Sequence, residues 1–271
     1  MQSSSIQSIN THFPRKWQGQ STNILGVQVS AVNMPMAVSV VNSWIRNQLK
    51  HYICVTPAHS VMDCLYDDEL RKIFNTAGLV TPDGMPIVWL SRLYGYNRVD
   101  RVYGPDLMLA LCANSIERGY RHYFYGGHAD VLDNLIDNLK RKFPELQIAG
   151  SYSPPFRTLS DEEDEEIVEM INSTKPHIVW VGLGSPKQEY WMAEHQNRLT
   201  ANALIGVGAA FDFHAGAKAQ APYWIQRSGF EWLFRLANEP KRLWKRYLLG
   251  YPLFIYHVLL QLSKLREYPN S

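Results

Sequence analysis

The sequence has little cysteine and no charge imbalance that would indicate a class of partner. Its three cysteines, Cys54, Cys64 and Cys112, are an odd number at spacings that match no zinc motif. We therefore expect no disulfide framework and predict a reducing compartment. Across 271 residues, 27 lysines and arginines balance 25 acidic residues, and the net charge is only +2. This excludes polyanion binding driven by overall charge, and we expect no nucleic-acid partner.

Targeting segments and metal motifs are also missing from the sequence. Residues 1–20 are polar and lack the apolar region of a signal peptide, which predicts a cytoplasmic protein. The apolar run 247–262 is shorter than the roughly 20 residues of a spanning helix, and Gly250 and Pro252 interrupt it. There is no Asp-x-Asp triplet, and no group of His, Asp and Glu has metal-ligand spacing. We therefore expect neither a metal nor another cofactor.

Charge and aromatic residues are concentrated at the C-terminal end. Residues 223–271 contain eight lysines and arginines against three acidic residues, a net charge of +5. The same segment holds 11 of the 33 aromatic residues. This change in composition predicts three parts: a flexible N-terminal segment, 1–22, an α/β body, 23–222, and a helical appendage, 223–271.

The composition of this appendage is compatible with several partners. A basic cluster beside an aromatic and aliphatic helix suits the surface of an anionic membrane. An amphipathic helix packed against the body, or against another subunit of a homo-oligomer, has the same composition. Aromatic and basic residues together also suit single-stranded nucleic acid, but the net negative charge of the body disfavours that partner.

The body alternates apolar runs with segments of helical periodicity. Apolar runs predict strands at 24–32, 52–55, 122–125, 178–181 and 203–207. Helices are predicted at 36–49 after the N-cap Asn33, at 107–118, at 131–143, at 160–172 from a Ser160–Glu163 capping box, and at 187–196. Repeated strand–helix units predict an α/β fold with a mostly parallel sheet flanked by helices. Ligands of such folds bind at the carboxyl ends of the strands.

Two polar residues at predicted strand ends are candidates for chemistry. Asp83 follows an apolar run and precedes Gly84. It could form an Asx-turn or helix cap, or stand at the mouth of the sheet as a general base. Thr56 could bond a ligand, although taken alone a strand-end hydroxyl satisfied by the backbone is the favoured interpretation.

A glycine turn and an aspartate follow two further strands. The segment from Gly182 through Gly184 to Gln188 leads into a helix, and such turns expose N–H groups that suit phosphates. It is neither a Walker A loop nor a G-x-G-x-x-G fingerprint, and a purely structural turn is equally consistent. Asp212 could bond a ribose or base edge, or could be a buried capped residue. Without metal, a diphosphate would need cations from Arg101 or from the arginines of the appendage.

Five motifs in one order together resemble a known family. They are Thr81-Pro-Asp-Gly-Met-Pro-Ile-Val-Trp, Arg101-Val-Tyr-Gly-Pro-Asp-Leu-Met, Val181-Gly-Leu-Gly-Ser-Pro-Lys-Gln-Glu, Gly206-Val-Gly-Ala-Ala-Phe-Asp-Phe and Gly229-Phe-Glu-Trp-Leu-Phe-Arg. Over about 23–262 the chain resembles the WecG/TagA/CpsF glycosyltransferases, glycosyltransferase family 26. The resemblance implies a Rossmann-like body and an appendage that completes the active site at the membrane. It also implies inverting, metal-independent transfer from a UDP-sugar to a polyprenyl-diphosphate-linked acceptor in bacterial surface polysaccharide or teichoic acid assembly.

The resemblance also implies roles for individual residues. Asp83 falls on the catalytic carboxylate, Thr56 on an active-site threonine and Arg101 on a pocket position with a catalytic role. The implied nucleotide-sugar site comprises Gly182, Gly184, Pro186, Lys187, Gln188 and Asp212. The implied acceptor-diphosphate site of the appendage comprises Arg235, Arg242 and a third cation, Lys245 or Arg246.

Ala58 stands where many relatives carry asparagine, two residues after the threonine. This departure leaves the transferred sugar open among N-acetylmannosaminyl, mannosaminuronyl and glucosyl types. Alternatives to the transferase are a nicotinamide-dependent oxidoreductase, disfavoured because no G-x-G-x-x-G follows the first strand, and a non-enzymatic scaffold docked on a membrane. We expect a peripheral protein on the inner face of the plasma membrane, in contact with its anionic lipids.

Overall fold

The computed structural model describes Trp17 and residues 19–270, and most of the predicted N-terminal segment 1–22 lies outside the described residues. The strands are β1 (Ser21–Ile24), β2 (Val27–Ser30), β3 (His51–Thr56), β4 (Leu79–Pro82), β5 (Arg121–Gly126), β6 (Gln147–Tyr152), β7 (Ile178–Gly182) and β8 (Ala203–Gly206). The helices are α1 (Met34–Arg46), α2 (Ala58–Tyr66), α3 (Asp68–Thr76), α4 (Met85–Leu93), α5 (Gly104–Ile116), α6 (Ala129–Lys142), α7 (Asp161–Ser173), α8 (Lys187–His195), α9 (Ala210–His214), α10 (Tyr223–Ser228), α11 (Glu231–Asn238), α12 (Pro240–Trp244) and α13 (Gly250–Leu262), with a π-helical segment, Lys245–Leu249, before α13.

Six strands form one parallel sheet in the order β4-β3-β8-β7-β5-β6. The predicted α/β fold with a parallel sheet flanked by helices is therefore confirmed. Because all six strands point the same way, their carboxyl ends meet at one edge of the sheet. In the register of β3, Cys54 lies opposite Gly206 of β8 and Thr56 lies opposite Pro82 of β4.

Successive side chains of the strands point to opposite faces, and each face has its own core. Tyr52 and Cys54 of β3 pack with α2, α3, α7 and α8, while Ile53 and Val55 pack with α1, α5, α6 and α9. Trp180, fully buried in β7, belongs to the second face. This two-sided burial explains why the strands read as continuous apolar runs, as parallel strands do.

The strand predicted at 24–32 is wrong, because these residues span an antiparallel hairpin of β1 and β2 outside the main sheet. Leu25 and Gly26 both have positive φ, 50° and 91°, which suits a two-residue hairpin turn. The side chain of Asn23 accepts a hydrogen bond from the Gly26 amide at 2.8 Å and stabilises the turn. The apolar pattern is continuous across the turn, so it did not indicate that the chain reverses there.

Helix boundaries follow the capping chemistry that the sequence indicated. The Asn33 side chain accepts a hydrogen bond from the Met36 amide, and Ser160 and Glu163 form the reciprocal capping box of α7. The sequence analysis did not predict α2, α3 or β6. Helix α2 matters for the site, because it begins directly after β3 at the carboxyl edge of the sheet.

The appendage packs on the body and also exposes apolar residues. Leu243, Tyr247 and Phe254 are buried, and α13 packs on α2. The Gln261 amide group donates to the Asn23 carbonyl at 2.7 Å and accepts from the Leu25 amide at 2.9 Å. Among the helices that the structure describes, none combines the length and hydropathy needed to cross a bilayer.

Candidate active site

Two cavities meet at the carboxyl edge of the sheet, where β4, β3, β8 and β7 end. The first, here called the arginine cavity, is bounded by Arg235, Arg242 and Arg246 and by the loops that follow β3, β7 and β8. The second, the aromatic cavity, is lined by Met85, Pro86, Trp232, Tyr247 and Tyr251. Four residues line both cavities: Pro57, His59, Asp83 and Arg235.

Asp83 is fixed at this junction by the backbone on either side of it. Its amide donates to the Thr56 carbonyl at 3.1 Å, which extends the pairing of β4 with β3 by one residue. Gly84 then adopts a φ of 99°, which lets the chain turn sharply into α4. Gly84, and not Asp83, is the N-cap of α4, and no side chain bonds the cap. The Asp83 carboxylate is therefore free of the structural role that the sequence also allowed.

Arg101 is the partner of the Asp83 carboxylate. Its Nε and Nη2 atoms donate to Asp83 Oδ1 at 3.2 and 3.1 Å. The same Nη2 atom lies 2.6 Å from Glu231 Oε2, and Nη1 donates to Gln226 Oε1 at 3.4 Å. The guanidinium also lies 4.0 Å from the ring centroid of Tyr103. One nearly buried cation therefore joins Asp83 of the body to two residues of the appendage.

The surroundings of Asp83 raise its pKa on balance. Burial raises the pKa of Asp83 and is the largest influence, while the positive charge of Arg101 opposes it. The nearby Glu231 carboxylate also raises this pKa, and Arg235 lowers it. A carboxylate with a raised pKa is a stronger base than an exposed aspartate, as proton abstraction requires.

Three arginines line the arginine cavity and give it a positive charge. Arg242 is bidentate to Glu239 with two contacts of 2.7 Å. Within the described residues, neither Arg235 nor Arg246 has a carboxylate at ion-pair distance. Burial lowers the pKa of Arg246, and the like charges of Arg235 and Arg242 lower it further. Uncompensated guanidinium groups of this kind suit an anion with several oxygens, such as a diphosphate.

Backbone groups add to the positive potential of the same cavity. Helices α2, α5 and α8 each begin at its wall, so that the positive ends of their dipoles point towards it. The side chain of Gln188 accepts a hydrogen bond from the Gly208 amide at 3.0 Å and donates to Glu189 at 2.9 Å. Gln188 therefore both lines the cavity and holds the loop that follows β8.

The aromatic cavity contains a cluster of three rings from the appendage. The centroids of Trp232, Tyr247 and Tyr251 are 5.4–6.0 Å apart. Met85 and Pro86 of α4 complete the apolar wall, and Asp83 and Arg101 supply polar groups at one end. Apolar and aromatic walls with a few convergent polar groups are typical of small-molecule sites.

His59 lines both cavities as a neutral imidazole. Burial lowers its pKa well below the ordinary value, and the charges of Arg246 and Arg235 lower it further. Neutral imidazole carries one donor and one acceptor nitrogen. The side chain can therefore hydrogen-bond a polar ligand without adding charge.

Six predicted site residues do not reach these cavities, and three of them belong to the glycine turn described below. Thr56 is fully buried, and its hydroxyl donates to the Cys54 carbonyl at 2.9 Å. Asp212 lies outside both cavities and pairs with Lys218 at 2.9 Å. Lys245 also lies outside them, whereas Arg246 lines the arginine cavity. The structure thus brings Arg246, and not Lys245, to Arg235 and Arg242.

The predicted glycine turn is divided between two cavities. Gly184 and Gln188 line the arginine cavity. Gly182 and Lys187 instead line a separate cavity beyond β7, and Pro186 is the N-cap of α8. A Cβ on Gly182 would lie 2.6 Å from a ring carbon of Phe211, so this glycine is required for packing.

Sequence reasoning did not assign four polar residues that the fold brings to the site. Glu231 and Gln226 reach Arg101 from the appendage, while Tyr103 and His59 line the cavities. Glu231 lies within the recognised Gly229-Phe-Glu-Trp-Leu-Phe-Arg235 motif, and that position was the available signal. Among the described residues, no group of three or more His, Cys, Asp or Glu is placed to hold a metal ion.

Comparison with known proteins assigns the chain to a family. The profile of the glycosyl transferase WecG/TagA/CpsF family matches residues 22–268. The chain belongs to this family. The match spans both the sheet and the appendage, and it favours glycosyl transfer over the oxidoreductase and scaffold alternatives.

Two relatives carry the same descriptive name, N-acetylglucosaminyldiphosphoundecaprenol N-acetyl-beta-D-mannosaminyltransferase. The one from Bacillus spizizenii strain W23 is 29% identical over 197 residues, which cover 73% of this chain and 74% of that protein. The one from Staphylococcus aureus strain MW2 is 26% identical over 247 residues, which cover 90% of this chain and 94% of that protein.

The arrangement of the cations makes a prediction for anion binding. Arg246→Ala should weaken binding of inorganic diphosphate at least about tenfold, because a charge-assisted contact contributes about 1.5–3 kcal/mol. The matched variant Lys245→Ala removes the neighbouring charge, which lies outside the cavity, and should change the affinity less than about twofold. Isothermal titration at fixed ionic strength measures both. Equal losses in the two variants would contradict the assignment of the cavity as the anion site.

Proposed function

We propose that the protein is an inverting glycosyltransferase that moves a sugar from a UDP-sugar to a polyprenyl-diphosphate-linked saccharide in bacterial surface polysaccharide synthesis. One observation carries this proposal. The Asp83 carboxylate lines both the arginine cavity, which suits a diphosphate, and the aromatic cavity, which suits the apolar face of a sugar ring. A transferase that makes a single displacement needs a base between its donor and its acceptor in this way.

The arginine cavity is the proposed site of the nucleotide donor. Arg235, Arg242 and Arg246 face its interior together with the amino ends of three helices. These groups would neutralise the donor diphosphate and stabilise the charge that develops on UDP as it departs. Gly184 and Gly208 have positive φ, 79° and 49°, and leave the backbone open to close approach by a ligand.

The aromatic cavity is the proposed site of the acceptor saccharide. The partly exposed rings of Trp232 and Tyr251 suit the apolar face of a sugar ring, Tyr247 supports them, and Asp83 lines the same cavity. Both relatives are named for an N-acetylglucosaminyl-diphosphoundecaprenol acceptor. We propose the same acceptor class here, and N-acetylmannosamine as the transferred sugar.

The proposed reaction is a single in-line displacement. Asp83 accepts the proton of the acceptor hydroxyl as that oxygen forms its bond to the anomeric carbon of the donor sugar. The bond between the anomeric carbon and the diphosphate oxygen breaks on the opposite side, its electron pair leaves with UDP, and the configuration inverts. Arg101 holds Asp83 in place, and the three arginines stabilise the departing diphosphate.

Removing the basicity of Asp83 tests the central step. Asp83→Asn keeps the size of the side chain but cannot accept the proton, so turnover should fall by about 10²–10⁴. Binding of UDP, measured by titration, should stay within a fewfold of the wild type. Asp137→Asn, an exposed change on α6, serves as the control and should leave turnover unchanged.

Two results would count against the assignment of Asp83. Near-normal turnover in Asp83→Asn would exclude it as the base. Loss of UDP binding in the same variant would indicate a role in nucleotide binding or in folding.

We further propose that the reaction needs no metal ion, since arginines supply the positive charge at the diphosphate. Turnover of the purified protein should therefore persist in excess EDTA. The matched measurement adds Mg²⁺ or Mn²⁺ without chelator and should give less than about a twofold increase. Activity that EDTA abolishes and either cation restores would show that guanidinium groups alone do not compensate the leaving group.

The appendage is proposed to meet the membrane that carries the lipid-linked acceptor, at its cytoplasmic face. Large apolar residues lie exposed on α10–α13 and the π-helical segment: Tyr223, Trp224, Phe230, Leu233, Trp244, Leu248, Leu249, Leu253, Ile255, Tyr256, Leu259 and Leu262. The whole appendage, 223–271, has a net charge of +5. Apolar side chains beside lysine and arginine suit the boundary of an anionic lipid surface.

Two exposed residues of α13 test the membrane contact. Ile255 and Leu259, 55% and 59% exposed, lie one turn apart on the helix. The double variant Ile255→Ser, Leu259→Ser should weaken binding to phosphatidylglycerol vesicles at least about tenfold, because burying such a side chain contributes about 1.5–3 kcal/mol. The control Phe156→Ser alters an 80% exposed residue of the body and should have no effect. Unchanged vesicle binding in the double variant would contradict the proposed surface.

A further inference from the structure

The carboxylate of Glu231 has no part in the displacement described above, yet it lies beside the reacting groups. It belongs to the first turn of α11, and its Oε2 atom lies 2.6 Å from Arg101 Nη2. The same nitrogen lies 3.1 Å from Asp83 Oδ1. The side chains of Arg101, Glu231 and Asp83 are only 7%, 13% and 16% exposed, so water screens their charges weakly.

We propose that Glu231 is a positioning residue that shares Arg101 with Asp83 and thereby keeps Asp83 basic, so that docking of the appendage completes the general base. This inference rests on the proposed role of Asp83 in proton transfer. Asp83 and Arg101 belong to the body, whereas Glu231 belongs to the appendage.

Two carboxylates share one guanidinium, and this sharing affects the basicity of Asp83. Arg101 alone would favour the charged form of Asp83, and an aspartate held in this way is a weak base. A second carboxylate on the same cation repels the Asp83 anion and competes for the same N–H groups. Both effects increase the proton affinity of Asp83. The contact between Glu231 and Arg101 also restrains the orientation of the Arg101 side chain.

The other groups around Asp83 do not supply this negative charge. Arg235, from the same helix as Glu231, is a cation and lowers the pKa of Asp83. Burial lowers the pKa of His59, which keeps its imidazole neutral. Burial raises the phenol pKa of Tyr103, and likewise of Tyr247 and Tyr251, so these rings carry no charge at neutral pH. Among the largest influences on the pKa of Asp83, Glu231 is therefore the one negative charge.

The contacts of Arg101 also connect the two parts of the chain. Besides Glu231, Gln226 of α10 accepts from Arg101 Nη1 at 3.4 Å. Two of the three side chains that accept hydrogen bonds from this guanidinium thus come from the appendage. The full triad of Asp83, Arg101 and Glu231 exists only where α10 and α11 lie against the end of β4.

The test measures how kcat/KM for a water-soluble acceptor depends on pH. This dependence reports the pKa values of the catalytic groups in the free enzyme. In the wild type, activity should rise with pH as Asp83 loses its proton, with a midpoint above the ordinary aspartate value of about 3.9. Glu231→Gln keeps the shape and an acceptor oxygen but removes the charge. Asp83 should then lose its proton more readily, and the acid limb should move to lower pH. The plateau should fall roughly two- to tenfold because the base is weaker.

Matched variants separate charge from shape and stability. Glu267→Gln removes a negative charge from an exposed position of the appendage and should leave the pH profile unchanged. Glu231→Ala should move the acid limb in the same direction as Glu231→Gln, and it replaces that variant if Glu231→Gln does not fold. Thermal unfolding and UDP titration establish that each variant is folded and binds the nucleotide.

Several outcomes would overturn the inference, and one of them would also change which residue is assigned as the general base. An acid limb that stays at the wild-type pH in both Glu231 variants would show that the residue only holds Arg101. A loss of 100-fold or more in Glu231→Gln, with little loss in Asp83→Asn, would make Glu231 the base and would also contradict the proposed function. If Asp83→Asn loses its turnover while the acid limb of Glu231→Gln does not move, only the inference about Glu231 fails.

Discussion

The site depends on the ion pairs that the guanidinium of Arg101 forms. This guanidinium compensates two nearly buried carboxylates, Asp83 of the body and Glu231 of the appendage. Removing one partner of a buried ion pair leaves an uncompensated charge and costs about 3–5 kcal/mol. This constraint favours the packing of the appendage against the body, and the candidate site is therefore built from two distant parts of the sequence.

The sequence was informative wherever a local pattern had a direct structural consequence. Apolar runs followed by helical periodicity predicted the parallel sheet, because strands buried on both faces read as continuous apolar segments. The capping residues Asn33 and Ser160 marked the starts of two helices. Asp83 was a candidate because it follows a strand, and strand ends converge on one edge of a parallel sheet, while the family resemblance implied its catalytic role.

Features that depend on tertiary contact could not be predicted in this way. The sharing of Arg101 between Asp83 and Glu231 joins residues far apart in the chain, and no local pattern reports it. Thr56 ends its strand as expected, but its hydroxyl is satisfied by its own strand and faces away from the cavities. One side of the appendage packs on the body, as one of the predicted alternatives has it, while its other side exposes apolar residues, and membrane contact stays a prediction. Composition alone cannot separate two faces of one helical segment.

The central claim is that Asp83 stands between a nucleotide and an acceptor bound in separate cavities. A crystal structure with UDP and a short-chain polyprenyl-diphosphate saccharide would test it most directly. We predict that the UDP diphosphate lies against Arg235, Arg242 and Arg246, and that an acceptor hydroxyl lies about 2.6–3.2 Å from the Asp83 carboxylate. Binding of UDP outside the arginine cavity, or of the acceptor saccharide with every hydroxyl out of reach of Asp83, would contradict it.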